Sequence, residues 1–158
     1  MFRELTRGRQ RLDGAECIRI LKSEKRGVLS VIGDDGYPYG MPMNHFYDED
    51  DGRLYFHCGK GGHRFDALGR CDKVSFCVYD EGYREAGDWA LHIKSVIVFG
   101  GVVFIDDREK IYEIAAKLSR KFTNDEAYIK TEIERSGPGT VMFAIVPEHI
   151  TGKIVSES

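Results

Sequence analysis

The stretch from Leu54 to Leu68, LYFHCGKGGHRFDAL, combines residue types that could bind an anion. A β-rich segment is followed by three glycines at positions 59, 61 and 62, and the pattern then becomes that of a short helix. Glycine permits a positive φ and a close approach of a ligand to the backbone. The unpaired N–H groups of a helix N-terminus attract negative charge. Because Lys60, His63 and Arg64 add donors at the same place, the spacing predicts a phosphate-binding loop.

This loop differs from two standard nucleotide-binding motifs. Its glycine and lysine spacing does not fit GxxxxGK[ST], and it is not a GxGxxG motif with a crossover helix and a distant acid. A solvated glycine-rich turn without a ligand is the alternative interpretation of the stretch taken alone.

Length and composition are those of a soluble globular protein. The 158 residues, 42% hydrophobic and 31% charged, predict a single domain over 1–158 with a substantial core. A net charge of −3 gives no electrostatic basis for binding nucleic acid or an acidic membrane. The one basic cluster, formed by Arg3, Arg7, Arg9 and Arg11, is interpreted as a solvated tail.

Neither a targeting segment nor a membrane span is expected. The N-terminus lacks an apolar signal region, and the longest apolar run, Val96–Ile105, is too short to cross a bilayer. The four cysteines show no CxxC spacing and are expected to be reduced thiols. We therefore expect a cytoplasmic protein that does not associate with membranes.

The first half of the chain predicts one helix and three strands. Asp13 and Glu16 form an acidic variant of the capping box before a helix over 14–24. Extended segments over 28–32, 37–47 and 53–58 are separated by Asp-Gly pairs, which favour hairpins. These segments are expected to form an antiparallel meander.

The middle strand of that meander contains Pro38 and Pro42. Proline cannot donate to a strand ladder, so this strand should have an edge or a bulge. Backbone groups of Met41, Met43 and Asn44 are therefore candidates for binding a ligand. A solvated edge strand is the alternative.

The second half predicts alternating strands and helices without a βαβ repeat. Expected elements are helices over 63–70, 107–122 and 125–135, strands over 73–79, 95–105 and 140–146, and a tail segment over 150–155. The strand over 95–105 is apolar enough to be buried on both faces, with a bulge or a barrel bend at Gly100 and Gly101. The order favours a mainly β (α+β) fold, a small antiparallel barrel with peripheral helices.

Six blocks of sequence, in this order along the chain, carry a family resemblance. They are Gly27–Ser30, Asp35–Asn44, Leu54–His63, Val74–Cys77, Ser95–Gly100 and His149–Lys153. Together they resemble the pyridoxamine 5′-phosphate oxidase-like split-barrel flavoproteins, in the branch related to nitroimidazole-resistance (Nim-type) proteins. The resemblance extends over nearly the whole chain.

The resemblance implies a six-stranded antiparallel split β-barrel with peripheral helices that forms a homodimer and holds FMN between the subunits. It also implies cofactor-binding positions, which are Gly40, Met41, Pro42, Met43, Asn44 and His45 along the ring, His57 and Cys58 near the ribityl chain or phosphate, Lys60, His63 and Arg64 at the phosphate, and Ser95 from the long apolar strand. The family often has lysine where Arg64 stands, and arginine binds phosphate equally well.

The implied function is that of an FMN-dependent oxidoreductase, similar to a flavin reductase or nitroreductase. Electrons would come from NADH or NADPH and pass to a small-molecule acceptor such as a nitroaromatic. No catalytic residue is assigned, although His45 is the nearest candidate for a general acid. The loop over 80–88 and Trp89 are expected either to cover the acceptor site or to place the tryptophan in the core. Pyridoxamine phosphate oxidase activity itself is not expected, because the chain lacks that enzyme's C-terminal tryptophan and Arg-Leu-rich run.

The alternative is a split-barrel protein that binds flavin or haem without substantial turnover. In that case the histidines become candidate axial ligands, namely His45, His57, His63 and His149. A zinc site built from His57, Cys58, His63, Cys71 and Cys77 matches no standard ligand spacing.

Overall fold

The computed structural model describes residues 1–157 and shows seven strands and four α-helices. The strands are β1 (Arg26–Ile32), β2 (Pro38–Asn44), β3 (Phe46–Asp48), β4 (Arg53–Cys58), β5 (Lys73–Tyr79), β6 (Leu91–Ile105) and β7 (Val141–Glu157). The helices are α1 (Gly14–Ser23), α2 (His63–Arg70), α3 (Arg108–Ser119) and α4 (Glu126–Ser136). Each predicted helix is present, with ends within a few residues of those expected.

The strands form one antiparallel sheet in the order β2-β1-β5-β6-β7-β4-β3. The strands at its two ends, β2 and β3, are separated in sequence by His45 alone. The sheet must therefore curl until its ends meet, which gives the expected split barrel. Seven strands are found instead of six because the extended segment over 37–47 is divided at His45. The meander is present, but the two parts of its middle strand pair with different neighbours.

The longest strands, β6 and β7, pair along their whole length with one irregularity. Phe99 pairs with His149 and Gly100 pairs with Pro147, so Glu148 is an extra residue in β7. A Cβ at position 100 would lie 2.3 Å from the carbonyl oxygen of Val146, which explains the need for glycine. The predicted bulge is confirmed. The final strand and tail segment, expected to be separate, are one strand because the bulge accommodates the proline.

The prediction that β6 is buried on both faces is wrong. Val96 and Val98 are fully buried, whereas Ile97 and Phe99 are 36% and 38% exposed. The barrel interior takes only alternate side chains of a strand, so Ile97 and Phe99 lie on the outer face. Trp89 is 70% exposed and so is not part of the core.

Two hydrophobic cores stabilise the fold. The larger fills the barrel, where Phe56, Phe76 and Phe143 meet side chains of α1 and α2. The smaller lies on the outside of the barrel, where Ile111 of α3 belongs to the same buried cluster as Tyr55. This second core attaches α3 to the outer face of β4 and β7. None of the helices within residues 1–157 is both long enough and apolar enough to span a membrane.

Candidate functional site

The barrel is split between β2 and β4. Strand β2 pairs with β1 alone among the described strands, and β3 pairs with Arg53–Tyr55 of β4 but not with Phe56–Cys58. One side of β2 and the side of Phe56–Cys58 that faces away from β7 therefore have no strand partner within residues 1–157. The gap between them begins at His45, where the chain passes from β2 to β3. We call this gap the split.

Alternation along β2 determines which backbone groups face the split. His45 N–H donates to the Lys25 carbonyl, and Gly33 N–H donates to the Tyr37 carbonyl. In an antiparallel pair, bonded positions alternate with non-bonded ones, so the odd-numbered residues of β2 bond to β1 and the even-numbered ones face the split. Pro42 therefore removes no hydrogen bond between β1 and β2, and the same holds for the proline at position 38.

This alternation refines the expected backbone contacts of β2. The backbones of Met41 and Met43 are directed toward β1, and their side chains are buried. The N–H groups of Gly40 and Asn44 are on the side that faces the split. The side chains of Pro42 and Asn44 lie on the outer face of the sheet. Of the three backbone groups proposed from the prolines, only that of Asn44 faces the split.

The glycine loop leads directly into the N-terminus of α2. Gly61 and Gly62 have φ angles of 97° and 93°, which L-residues other than glycine rarely adopt. The first intrahelical bond runs from Asp66 N–H to the Gly62 carbonyl, and no side chain caps the helix. The amides of the first helical residues are thus left for another acceptor, as the anion-binding prediction requires.

Arg64 extends from α2 into the split. Its guanidinium contacts the sulfur of Met43, its Nε is buried without a hydrogen-bond partner, and it forms no ion pair within residues 1–157. A thioether is a weak acceptor, so it compensates little of the charge. On the β4 side, the pKa of His57 is lowered, first by desolvation and second by the charge of Arg64. Burial raises the pKa of Cys58, and the charge of Arg64 opposes that increase. The guanidinium is therefore a partly buried cation that faces both sides of the split.

His63 is held by contacts outside the loop. Its ring stacks on Tyr39, with centroids 4.2 Å apart, and its Nε2 accepts a hydrogen bond of 3.3 Å from Asp34 N–H. The Asp34 carboxylate in turn pairs with Arg70 at 2.7 Å. In the neutral imidazole the proton then sits on Nδ1, which is the nitrogen left to donate to an anion. Lys60 is exposed in the loop.

Outside β2, His45, Cys58 and Ser95 are predicted site residues that do not present their side chains to the split. The His45 ring is fully buried, with Nε2 2.7 Å from the Leu21 carbonyl oxygen. Burial, followed by the charge of Lys121, lowers the pKa of His45 to about 3, so it is neutral and unsuited to donate a proton to a substrate. Cys58 belongs to the barrel core. Ser95 lies on β6, three strands away from β2.

A pocket of about 320 Å³ adjoins the split and was not anticipated from the sequence. Asn44 and His57, one from each side of the split, contribute to its wall together with α3 and α4. Its other lining residues are Ile111, Ala115, Leu118, Ser119, Phe122, Glu132, Ile133, Ser136, Gly137 and Thr140. We call it the helix pocket. The apolar spacing on α3 was a signal, but that spacing is equally typical of a fully packed helix.

Lys121 is a second residue that the sequence did not single out. Its ammonium donates to the carbonyls of Glu24 and His45 at 2.6 and 2.7 Å, and burial lowers its pKa to about 8. It ties the end of α3 to the point where the split begins. As to the zinc hypothesis, no group of three or more His, Cys, Asp or Glu side chains in the described chain converges as a metal site would require.

Comparison with known proteins reveals solved structures of the same fold. A proposed 5-nitroimidazole antibiotic resistance protein of Bacteroides thetaiotaomicron superposes with a TM-score of 0.75 at 20% identity, covering 92% of this chain and 87% of that one. A FAD-binding protein of Mesorhizobium loti superposes with a TM-score of 0.66 at 22% identity, covering 92% of this chain and 97% of that one. The flavocytochrome Anf3 of Azotobacter vinelandii superposes with a TM-score of 0.69 at 20% identity, covering 90% of this chain and 67% of that one.

At these identities the structural similarity shows a shared fold. No curated protein sequence matches the chain significantly. The family model described as pyridoxamine 5′-phosphate oxidase matches residues 13–154, which include every strand except the last few residues of β7. The chain therefore belongs to the pyridoxamine 5′-phosphate oxidase-like family.

Proposed function

We propose that this protein is an FMN-dependent oxidoreductase that takes electrons from NADH or NADPH and passes them to a small-molecule acceptor, for example a nitroaromatic. The observation that carries the proposal is Arg64, a half-buried guanidinium that lacks an anionic partner in residues 1–157 and faces both sides of the split. An uncompensated buried charge is costly. A bound anion would remove that cost.

The groups around Arg64 fit a terminal phosphate. The first amides of α2 point out of the helix N-terminus, Lys60 is exposed in the preceding loop, and the Nδ1 of His63 is left to donate. Charge-assisted hydrogen bonds from guanidinium and backbone amides are the usual means of holding a phosphate. The positive charges of Lys60 and Arg64 together match the roughly two negative charges of a monophosphate ester such as FMN.

The family and its structural neighbours favour a flavin as the phosphate-bearing molecule. Two of the proteins with this fold are described as a FAD-binding protein and a flavocytochrome. A bound flavin would supply the redox chemistry, accepting electrons from a reduced nicotinamide and delivering them to the acceptor. The chain itself would bind, orient and shield the cofactor.

The free edge of β2 would orient the ring. The N–H groups of Gly40 and Asn44 face the split, and either one suits a carbonyl oxygen of an isoalloxazine. The buried side chains of Met41 and Met43 close the inner side of the strand against water. Positioned backbone donors cost no side-chain entropy on binding, so this edge can hold the ring in one orientation.

A homodimer would bring the remaining predicted residue to the site. The outer face of β1, β5 and β6 carries a row of neighbours formed by Val28, Cys77 and Ile97, with Val28 and Ile97 37% and 36% exposed. Contiguous apolar surface of this kind is typical of an interface. Ser95 lies on the same face as Ile97. A second copy docked on this face would therefore bring its own Ser95 toward the split of the first copy. We propose a homodimer with the cofactor at this interface.

A role in binding flavin or haem without turnover is the second candidate. It is favoured by His57, which is accessible and whose lowered pKa keeps the imidazole neutral, as a haem ligand must be. The absorption spectrum and mass of the copurified cofactor separate the candidates: FMN is expected, whereas a Soret band would indicate haem. Anaerobic addition of NADH or NADPH should then bleach the flavin absorbance. Bound FMN that neither nicotinamide reduces would favour the binding role.

A further inference from the structure

We propose that the helix pocket is a second ligand site, separate from the cofactor site, and that it takes an uncharged planar aromatic molecule carrying an amide or amine. The proposal rests on the proposed function, in which such a molecule would be the electron acceptor. It assigns a binding role to α3 and α4, whose residue patterns indicated no function.

The position of the pocket places it beside the cofactor site. Asn44 belongs to β2, whose free edge faces the split, and His57 belongs to β4 on the opposite side. Both line the helix pocket, and the charge of Arg64 acts on His57. A molecule in the pocket would therefore contact the same two strands as a phosphate-bearing molecule held at Arg64. Two ligands bound in this way would be neighbours.

The shape of the pocket suits a small flat molecule. Its volume of about 320 Å³ is at the lower end of the range for ligand sites, roughly 300–1,000 Å³. One wall is the apolar stripe of α3, where Ile111, Ala115 and Leu118 follow one another at spacings of four and three residues. Ala115 occupies the middle of the stripe, and its short side chain leaves room there. Ile133 of α4 adds to the apolar wall.

The charges around the pocket disfavour an anion. Within the described part of the chain, its lining contains neither lysine nor arginine. The single carboxylate, that of Glu132, is paired with Arg135 at 2.7 Å, and the lowered pKa of His57 leaves that ring neutral. Phosphate or carboxylate ligands should thus bind at Arg64 and avoid the helix pocket. This separation of charge distinguishes the two sites.

The pocket offers a ligand hydrogen-bond acceptors in addition to the N–H donors of Asn44 and His57. The hydroxyls of Ser119 and Thr140 already donate to the backbone carbonyls of Ala115 and Ser136. Each hydroxyl can therefore only accept a hydrogen bond from a ligand. The carboxylate of Glu132 also accepts hydrogen bonds. A ligand with N–H donors is complementary to such a wall. An aromatic amide or amine meets the requirements of shape, charge and hydrogen bonding together.

The test compares benzamide, benzamidine and benzoate, which have nearly the same size and differ in charge. Binding is followed by chemical-shift titration of the flavin-loaded protein and of an Arg64→Met variant depleted of flavin. Benzamide should bind both preparations, and benzoate should bind the pocket at least about tenfold more weakly. Benzamidine should lose affinity in Glu132→Gln while benzamide does not. Equal affinity for benzamide and benzoate would overturn the assignment.

Two matched substitutions on α3 locate the binding. Ala115→Phe fills the pocket and should weaken benzamide binding at least about tenfold, whereas Ala116→Phe, one residue along and outside the pocket lining, should leave it unchanged. If Ala115→Phe does not fold, Ser136→Trp blocks the pocket from an exposed position. Unchanged benzamide affinity in the pocket-filled variant refutes this inference whatever the flavin content. Absence of flavin from the wild-type protein refutes the proposed function alone.

Discussion

The buried imidazole of His45 should make the protein sensitive to acid. The ring is fully buried, touches Phe76 edge-on with centroids 4.9 Å apart, and bonds to the Leu21 carbonyl oxygen. Its pKa in the folded protein is about 3, against 6.5 for a free histidine. Because the folded pKa is lowered, the unfolded chain binds the proton first as the pH falls. Stability is therefore retained above about pH 6.5 and lost between that pH and about pH 3.

The size of this loss follows from the two pKa values. Each pH unit between them costs about 1.4 kcal/mol, so at about pH 5 the protein should have lost about 2 kcal/mol of unfolding free energy through His45 alone. A His45→Gln variant keeps a donor toward Leu21 but does not titrate. Its stability at pH 7 will be lower, since the ring fills space in the core.

Urea unfolding at a series of pH values measures this contribution. The quantity of interest is the difference in unfolding free energy between the wild-type protein and His45→Gln, because other titrating groups affect both proteins alike. That difference should shrink by about 2 kcal/mol between pH 7 and pH 5. Parallel stability curves for the two proteins would refute the conclusion that the imidazole is held neutral by burial.

Three further substitutions test the fold and the assembly. Gly100→Ala should destabilise the protein by about 1–3 kcal/mol in urea unfolding, because its Cβ would lie 2.3 Å from a carbonyl oxygen; Gly101→Ala, with 3.5 Å of clearance, should cost far less, and equal losses would contradict the bulge geometry. Lys121→Met removes two hydrogen bonds from an ammonium to backbone carbonyls, each worth about 1.5–3 kcal/mol. Lys117→Met breaks only an exposed ion pair with Glu113, which contributes little to stability, so an effect as large as that of Lys121→Met would argue against the role given to Lys121. Ile97→Lys should yield monomers by light scattering and release the flavin, whereas an unaltered dimer would place the interface elsewhere.

Several features of the fold follow from local chemistry and could be read from the sequence. The Asp-Gly pairs before β2 and β4 form the expected turns, and Asp13 accepts from the Glu16 amide at 2.8 Å as a helix cap should. The paired glycines at positions 100 and 101 coincide with the bulge. These signals depend on backbone conformations that few residues adopt, and for that reason they predict structure reliably.

Features that depend on distant contacts could not be read in this way. Prolines marked β2 as an edge strand, but the division of its segment at His45 results from the closure of the whole sheet. The glycine-rich pattern predicted that His63 binds an anion, but it did not indicate that Tyr39 and Asp34 hold its ring. The stripe of α3 that borders the helix pocket has the same periodicity as a stripe that is fully packed. Only the relative positions of α3, α4 and the split reveal the empty space.

The dissociation constant for FMN of an Arg64→Met variant tests the central claim most directly. Methionine keeps an unbranched apolar stem while removing the charge. Loss of one charge-assisted bond, worth about 1.5–3 kcal/mol, should weaken FMN binding by roughly 10- to 150-fold. Arg19→Met, which removes an exposed guanidinium paired with Glu16 on α1, should bind FMN as the wild type does. An Arg64→Met protein that is folded and retains wild-type affinity for FMN would contradict the account.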